Sequence, residues 1–279
     1  MPTKQNKKQP MRWRNIILGI LIVGLTVGIL HLMDTMIYGR SIHYREEEAA
    51  FLLLPPELDG YTLALITDTH SLSEAELEQM RQKIIDRQVD LVLLGGDYQK
   101  SIETVPRILG TIPCPDGVVA VEGNHDITEE WVRAFEKYDV PMLYNSGKQL
   151  RPGLYIGGTA DLWSGNSDVA AALAEKNKED FTLLLAHNPD TAMDTNAAGA
   201  DLVLSGHTHG GHATFFGLWK PLLRNVTKYG YRFGGGWSKG YEDIPVYVSK
   251  GAGYYRNWMT PRVYSHPEIV FVTLRGAQG

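Results

Sequence analysis

Apolar runs of two kinds divide the chain. One is long: residues 16–33 are apolar apart from Thr26 and His31, with glycines interspersed. The later runs are short and β-rich, and they alternate with stretches of helical period. Strands are expected at 61–67, 90–95, 117–122, 154–158, 181–186, 201–205, 245–249 and 269–274, with a possible edge strand within 41–54. Helices are expected at 73–88, 102–109 and 128–138, and near 167–178. Ser73 followed by Glu76 reads as a capping box, Thr128 as an N-cap, and Gly110 with Pro113 as a stop. The Gly-rich stretch 230–240 reads as a loop. Strands that alternate with helices argue for a layered α/β core. Near-continuous apolar strands argue that both sheet faces are covered.

The long run reads as a membrane anchor. At about 1.5 Å per residue it reaches roughly 27 Å, close to the roughly 30 Å hydrocarbon core of a bilayer. Trp13 sits where an interfacial aromatic belongs. Lys4, Lys7, Lys8, Arg12 and Arg14 precede the run with no acid among them, which argues against a buried core helix. No small-x-small cleavage site follows at His31-Leu32-Met33-Asp34, which argues against a removed signal peptide. The expected organisation is a basic tail over 1–15, an anchor over 16–33, a connector with the edge strand over 34–53, and a catalytic domain over 54–279. The cations place the N-terminus in the cytoplasm and the body outside it, with the bilayer as partner.

Composition narrows the function classes. Hydrophobic residues make up 43 % of the 279 and charged residues 21 %, a globular balance. The single cysteine, Cys114, excludes an internal disulfide and a cysteine-rich zinc module. Beyond residue 33 there are 22 basic against 32 acidic residues, a balance of −10. That is the reverse of what phosphate-backbone binding selects, so no nucleic acid is expected as partner. No motif points to a protein partner, and neither a Gly-x-Ser-x-Gly nor a Walker sequence occurs.

The polar residues that follow the strands carry the chemistry. Asp68-Thr69-His70 follows the first, Gly96-Asp97 the second, Gly123-Asn124-His125-Asp126 the third, His187-Asn188 the 181–186 run, and Gly206-His207-Thr208-His209 the 201–205 run. Six of the nine histidines lie at or just past these ends. In open α/β sheets, ligands bind outside the carboxyl ends of strands. Mixed imidazole and carboxylate donors suit Mn, Fe, Zn, Co or Ni rather than calcium.

As a set these motifs resemble the calcineurin-like metallophosphoesterases over about 54–274. The extensions AHNPD, SGHTHGG, PVYVSKGAG and HPEIVFVTL are similar to a branch of membrane-linked bacterial phosphoesterases. The resemblance implies a four-layer α/β/β/α sandwich and two divalent transition-metal ions, with Mn expected. One would be held by Asp68, His70, Asp97 and His209, the other by Asp97, Asn124, His187 and His207. It implies in-line attack on a phosphoester by a metal-bridging hydroxide, with His125 beside the substrate and Asp126 orienting its imidazole. A pyrophosphohydrolase of a nucleotide-sugar lipid, and a metal-dependent binding or regulatory module without turnover, are the alternatives. The branch commonly has Gln where this chain has His212, which becomes a candidate substrate contact. Arg256 and Arg262 are candidate phosphate contacts from a loop rimming the pocket. Tyr254, Tyr255, Trp258, Trp237 and Tyr241 are expected to pack structurally.

Overall fold

The computed structural model describes residues 13–98, 102–126, 129–254 and 262–277. It opens on one long helix, α1 (Trp13–Ile37), about 37 Å in length at the helical rise. Its apolar side chains are exposed and its buried residue is Asp34. The helix outruns the expected 16–33 because Asp34 is satisfied in place. Its carboxylate accepts from the Tyr264 backbone N–H at 2.6 Å and pairs with His266 Nε2 at 2.8 Å.

The body contains strands β1 (His43–Phe51), β2 (Thr62–Ile66), β3 (Leu91–Leu94), β4 (Val118–Ala120), β5 (Ser146–Arg151), β6 (Leu154–Gly158), β7 (Phe181–Leu185), β8 (Leu202–Ser205), β9 (Gly236–Lys239), β10 (Pro245–Val248) and β11 (Glu268–Gly276). One sheet runs β1-β11-β2-β3-β4, the other β5-β6-β7-β8-β10-β9. Within the first, β2, β3 and β4 are parallel; within the second, β6, β7, β8 and β10 are parallel.

Strict alternation sorts each strand's side chains between two cores. Leu63, Leu65, Leu91 and Leu93 of the first sheet meet Leu183, Leu185, Leu202 and Leu204 of the second. On the outer face of the first sheet, Ala64, Ile66, Val92 and Leu94 take α2 (Glu74–Arg87), α3 (Thr104–Ile108) and α4 (Glu129–Glu136) through Leu77, Met80, Val105, Trp131 and Phe135. On the outer face of the second, Leu184, Val203 and Val246 take α5 (Val169–Ala172) and the 3-10 turns Pro189–Met193 and Thr195–Gly199. This is the four-layer α/β/β/α sandwich, with a thin fourth layer.

The capping box forms: Glu76 accepts from the Ser73 N–H at 2.7 Å, and Ser73 Oγ accepts from the Glu76 N–H. Thr128 lies outside the described residues. The helix expected near 167–178 shrinks to α5, because the Tyr155 hydroxyl donates to the Ala172 carbonyl (3.1 Å) that a longer helix would use. Two strands escaped the hydrophobic pattern. β5 is polar and exposed, and β9 lies inside the Gly-rich stretch expected to be loop. Both are antiparallel edge strands, held by β6 and β10. β1 is also an edge strand, paired in parallel with β11 from His43 to Phe51. Its glutamates are met by Arg87 and Arg275, so the edge presents charge rather than a bare ladder.

Candidate metal centre

The carboxyl ends of β2, β3, β4, β7 and β8 converge, and backbone bonds lash them together. Asp68 N–H donates to Gly96 O (2.8 Å), Val121 N–H to Leu94 O (3.0 Å), Gly206 N–H to His187 O (2.9 Å) and Gly253 N–H to Asp68 O (2.8 Å). At the ends of β2, β3 and β8 the chain leaves its strand through left-handed residues. Asp68 (φ 54°), His70 (36°), Asp97 (56°), His207 (68°) and His209 (49°) all have positive φ. Non-glycine residues avoid that region, and here it swings five side chains into one cleft. Such strain persists only where the surroundings over-determine it. Glycines permit the close approach: a Cβ on Gly206 would stand 2.5 Å from Asp68 Oδ2, and one on Gly96 2.6 Å from the Gly123 nitrogen.

Two buried triads result, Asp68 with His70 and His209, and Asp97 with His187 and His207, the candidate donor atoms of each lying within 4.8 Å of one another. In the first, His70 Nε2 is 3.1 Å from His209 Nε2 and 3.9 Å from Asp68 Oδ1. In the second, His187 Nε2 is 3.3 Å from Asp97 Oδ2 and 3.3 Å from His207 Nδ1. Asp97 Oδ2 also lies 3.7 Å from His70 Nε2 and 3.9 Å from His125 Nε2, so this one oxygen faces both triads.

Outer hydrogen bonds orient two of the imidazoles. His187 Nδ1 donates to Gly95 O (2.7 Å), leaving Nε2 to face Asp97. His207 Nε2 donates to Val226 O (3.1 Å), leaving Nδ1 inward. Such outer bonds fix tautomer and ring orientation. Burial lowers His70 to about 4 and His207 to about 3, and holds His209 well below its ordinary value, so all three are neutral near pH 7. His187 differs: burial would lower it, but the Asp97 carboxylate raises it to about 10. Burial pushes Asp97 up, and His187, then His70 and His125, overcome this and hold it well below the usual carboxylate range.

The donor set fits divalent transition metals. Asp68 Oδ1 and Asn124 Oδ1 are buried with no hydrogen-bond partner among the described residues, an arrangement that a cation satisfies and that apolar packing does not. Two triads provide for two divalent ions.

Not every expected residue stands where the sequence suggested. His125 is exposed (58 %) and reaches toward Asp97 Oδ2, on the open side. Asp126 does not touch its imidazole. It accepts from the backbone N–H groups of Asp97 (2.6 Å), Tyr98 (3.0 Å) and Gly123 (3.0 Å), tying the β3 and β4 loops together. Burial, then Asp97, raises it to about 7. Arg262 lies buried behind His209 rather than on a rim. Its guanidinium donates to the carbonyls of His209 (2.9 Å), Lys250 (2.7 Å) and Gly253 (2.6 Å) and reaches His209 Nδ1 at 2.7 Å. His212 packs its ring 4.3 Å from that of His209. Tyr254 is buried on Glu76, and Trp237 packs edge-on against Tyr247. Arg256, Tyr255 and Trp258 lie outside the described residues. Trp163, half exposed and edge-on to His207 at 4.4 Å, is a site residue that sequence reading missed. It follows the end of β6, a strand end carrying Thr159 and Asp161 that could have been read like the others.

Residues 61–211 match the family model described as calcineurin-like phosphoesterase. The chain is 28 % identical over 245 residues to the uncharacterized metallophosphoesterase YkuE of Bacillus subtilis, covering 80 % of this chain and 82 % of that one. It is 30 % identical over 229 residues to an uncharacterized metallophosphoesterase of Helicobacter pylori, covering 76 % of this chain and 59 % of that one. A shorter match, 31 % identical over 145 residues, is to the phosphodiesterase YaeI of Escherichia coli, over 46 % of this chain and 51 % of that one. The chain belongs to the calcineurin-like phosphoesterase family, and its activity is metal-dependent hydrolysis of phosphoesters.

Proposed function

We propose that this phosphoesterase works through a binuclear centre bridged by Asp97. Asp68, His70, Asp97 and His209 hold one divalent cation; Asp97, Asn124, His187 and His207 hold the other, and Mn is the expected ion at both. The observation that carries this reading is the position of Asp97 Oδ2, 3.7 Å from His70 Nε2 and 3.3 Å from His187 Nε2. When bound, two such cations supply Lewis acidity and make water nucleophilic near neutral pH for in-line attack at phosphorus.

The chain's own residues do the rest. The Gly95 and Val226 carbonyls keep His187 and His207 presenting their lone pairs inward. Asp126 clamps the β3 and β4 loops, so that Asp97 and Asn124 keep their spacing. His125, on the open side, takes a non-bridging oxygen of the ester or protonates the leaving oxygen. His212 lies beside His209 on the substrate side. Residues 54–279 form the catalytic domain. α1 anchors it through 16–33, with the basic 1–15 tail in the cytoplasm and the body outside; a helix of this length and composition could cross a membrane.

The name of the Escherichia coli relative favours a diester among possible substrates. The test is turnover of bis-(p-nitrophenyl) phosphate and p-nitrophenyl phosphate by the purified chain with Mn, before and after chelation. Diester hydrolysis that is lost on chelation and regained with Mn is expected. Turnover that survives chelation would contradict the reading. Protease access in intact cells tests the orientation.

A further inference from the structure

The segment 213–240 stands apart from the acidic body. It holds Lys220, Arg224, Lys228, Arg232 and Lys239 and no acid. Its first turns expose Phe215, Phe216, Leu218, Trp219 and Leu222, with Leu218 81 % and Trp219 62 % accessible. Monomeric soluble proteins rarely show so contiguous an apolar patch, and such patches mark interaction surfaces.

The patch lies against α1. The His31 ring sits 5.1 Å from Phe215 and 4.7 Å from Phe216, and a cavity of about 420 Å³ between them is lined by Leu32 and Thr35 of the helix and by Phe215 and Trp219 of the lobe. His31 is two residues from the end of the apolar run, about 3 Å inside it along the helix. The lobe therefore lies at the height where α1 would leave the hydrocarbon. That level favours aromatic side chains, and the cations of the same segment suit anionic headgroups.

The same end of the helix is tied to the metal centre. Arg262 and Ser265 bond the His209 carbonyl, while the neighbouring Tyr264 and His266 bond Asp34 of α1. Five residues extend at most about 18 Å. The lobe itself begins at Ala213, directly after His212.

We propose that the 213–222 lobe is a second membrane contact, inserted into the interface of an anionic bilayer beside α1, and that it holds the metal centre at the level of headgroup phosphates. The proposal rests on α1 being the anchor. It commits to lipid, not to a second copy of the chain, because the patch is continuous with the helix and its segment carries cations and no acid.

The full chain, reconstituted in phosphatidylcholine–phosphatidylglycerol vesicles, tests it. A polarity-sensitive thiol fluorophore is placed at Leu218→Cys in a Cys114→Ser background, and soluble diester hydrolysis confirms that the labelled chain is folded. The expected result is blue-shifted emission, quenched at least twofold by phospholipids brominated on their acyl chains. A label at Leu53→Cys, beyond the far end of β1 and 91 % exposed, should stay water-like. A vesicle-bound chain whose 218 label remains water-like overturns the lobe and leaves the anchor standing. A blue shift without bromine quenching means contact with protein and also overturns it. A chain that fails to float with vesicles overturns the anchor, and the lobe with it. As a second measurement, Trp219→Phe should reduce the lipid-quenchable tryptophan emission of the unlabelled chain; unchanged quenching counts against the proposal.

Discussion

The two triads have the same composition, one aspartate and two histidines, and differ in what stands behind them. His187 and His207 are backed by neutral carbonyls, Gly95 O and Val226 O. His209 is backed by the Arg262 guanidinium, which also gathers the carbonyls of His209, Lys250 and Gly253. The second triad is thus oriented by neutral backbone carbonyls. The first is oriented by a buried cation from a distant segment, the one that continues to Asp34 on α1. Asp97 is the feature that they share. The comparison separates what each cation site owes to its own shell from what both owe to the bridge.

Removing the bridge has the largest expected effect. Asp97→Asn should lower kcat by about a thousandfold or more, since Lewis-acid stabilisation is worth several kcal/mol and each 1.36 kcal/mol is tenfold in rate. It should also deplete both sites, whereas His209→Ala and His207→Ala should each deplete one. Metal analysis after gel filtration reads the difference. Equal loss in all three variants would erase the distinction between shared and private ligands.

Next comes His125→Ala, for which a fall of about 10²-fold in kcat is expected from a lost charge-stabilising or proton-donating group. Both metals should remain, because the side chain is exposed and outside either triad. Loss of metal would move His125 into the ligand set.

Arg262→Met should sharpen the contrast between the triads. Arg262 holds the His209 backbone through its carbonyl, and losing an outer support of a ligand typically costs about 10–100-fold in metal affinity, so the Asp68 triad should weaken by that factor while the Asp97 triad holds. The variant should also melt at lower temperature, because buried carbonyls lose their donor. Arg262→Lys should recover less than half of the affinity, since an ammonium cannot span the same fork. Equal weakening at both sites would mean that Arg262 supports the whole cleft.

The smallest effect lies in proton release. With its folded value raised to about 10, His187 stays protonated through neutral pH and must lose that proton on binding metal. Affinity at the Asp97 triad should therefore rise about tenfold per pH unit below 10 and level off above it. The imidazoles of the other triad, with His70 at about 4, have no proton to lose near pH 7. Calorimetry at pH 7.5 in buffers of different ionisation heat should find about one proton released from His187; none would sink this reading of the Asp97–His187 pair.

What sequence made legible follows from which forces act locally. Strands buried on both faces, such as Leu91–Leu94, announce themselves because nothing polar fits. The strand-end residues were legible because metal chemistry restricts residue type, and the fold brings Asp68, His70, Asp97, His187, His207 and His209 to one cleft. β5 and β9 were not legible, since the partner strands, not their own side chains, make them strands. Asp126 and Arg262 were misplaced for a related reason. Their partners are backbone groups: for Asp126, N–H groups that include those of Asp97 and Tyr98 in another loop, and for Arg262, a carbonyl 53 positions away in the sequence. No periodicity encodes such a bond.

The bridge itself is open to one direct measurement, electron paramagnetic resonance of the chain loaded with Mn(II). Two ions sharing Asp97 should give two Mn per chain and an exchange-coupled multiline spectrum that collapses in Asp97→Asn. A six-line spectrum of isolated Mn(II), or one Mn per chain at saturation, would contradict the account.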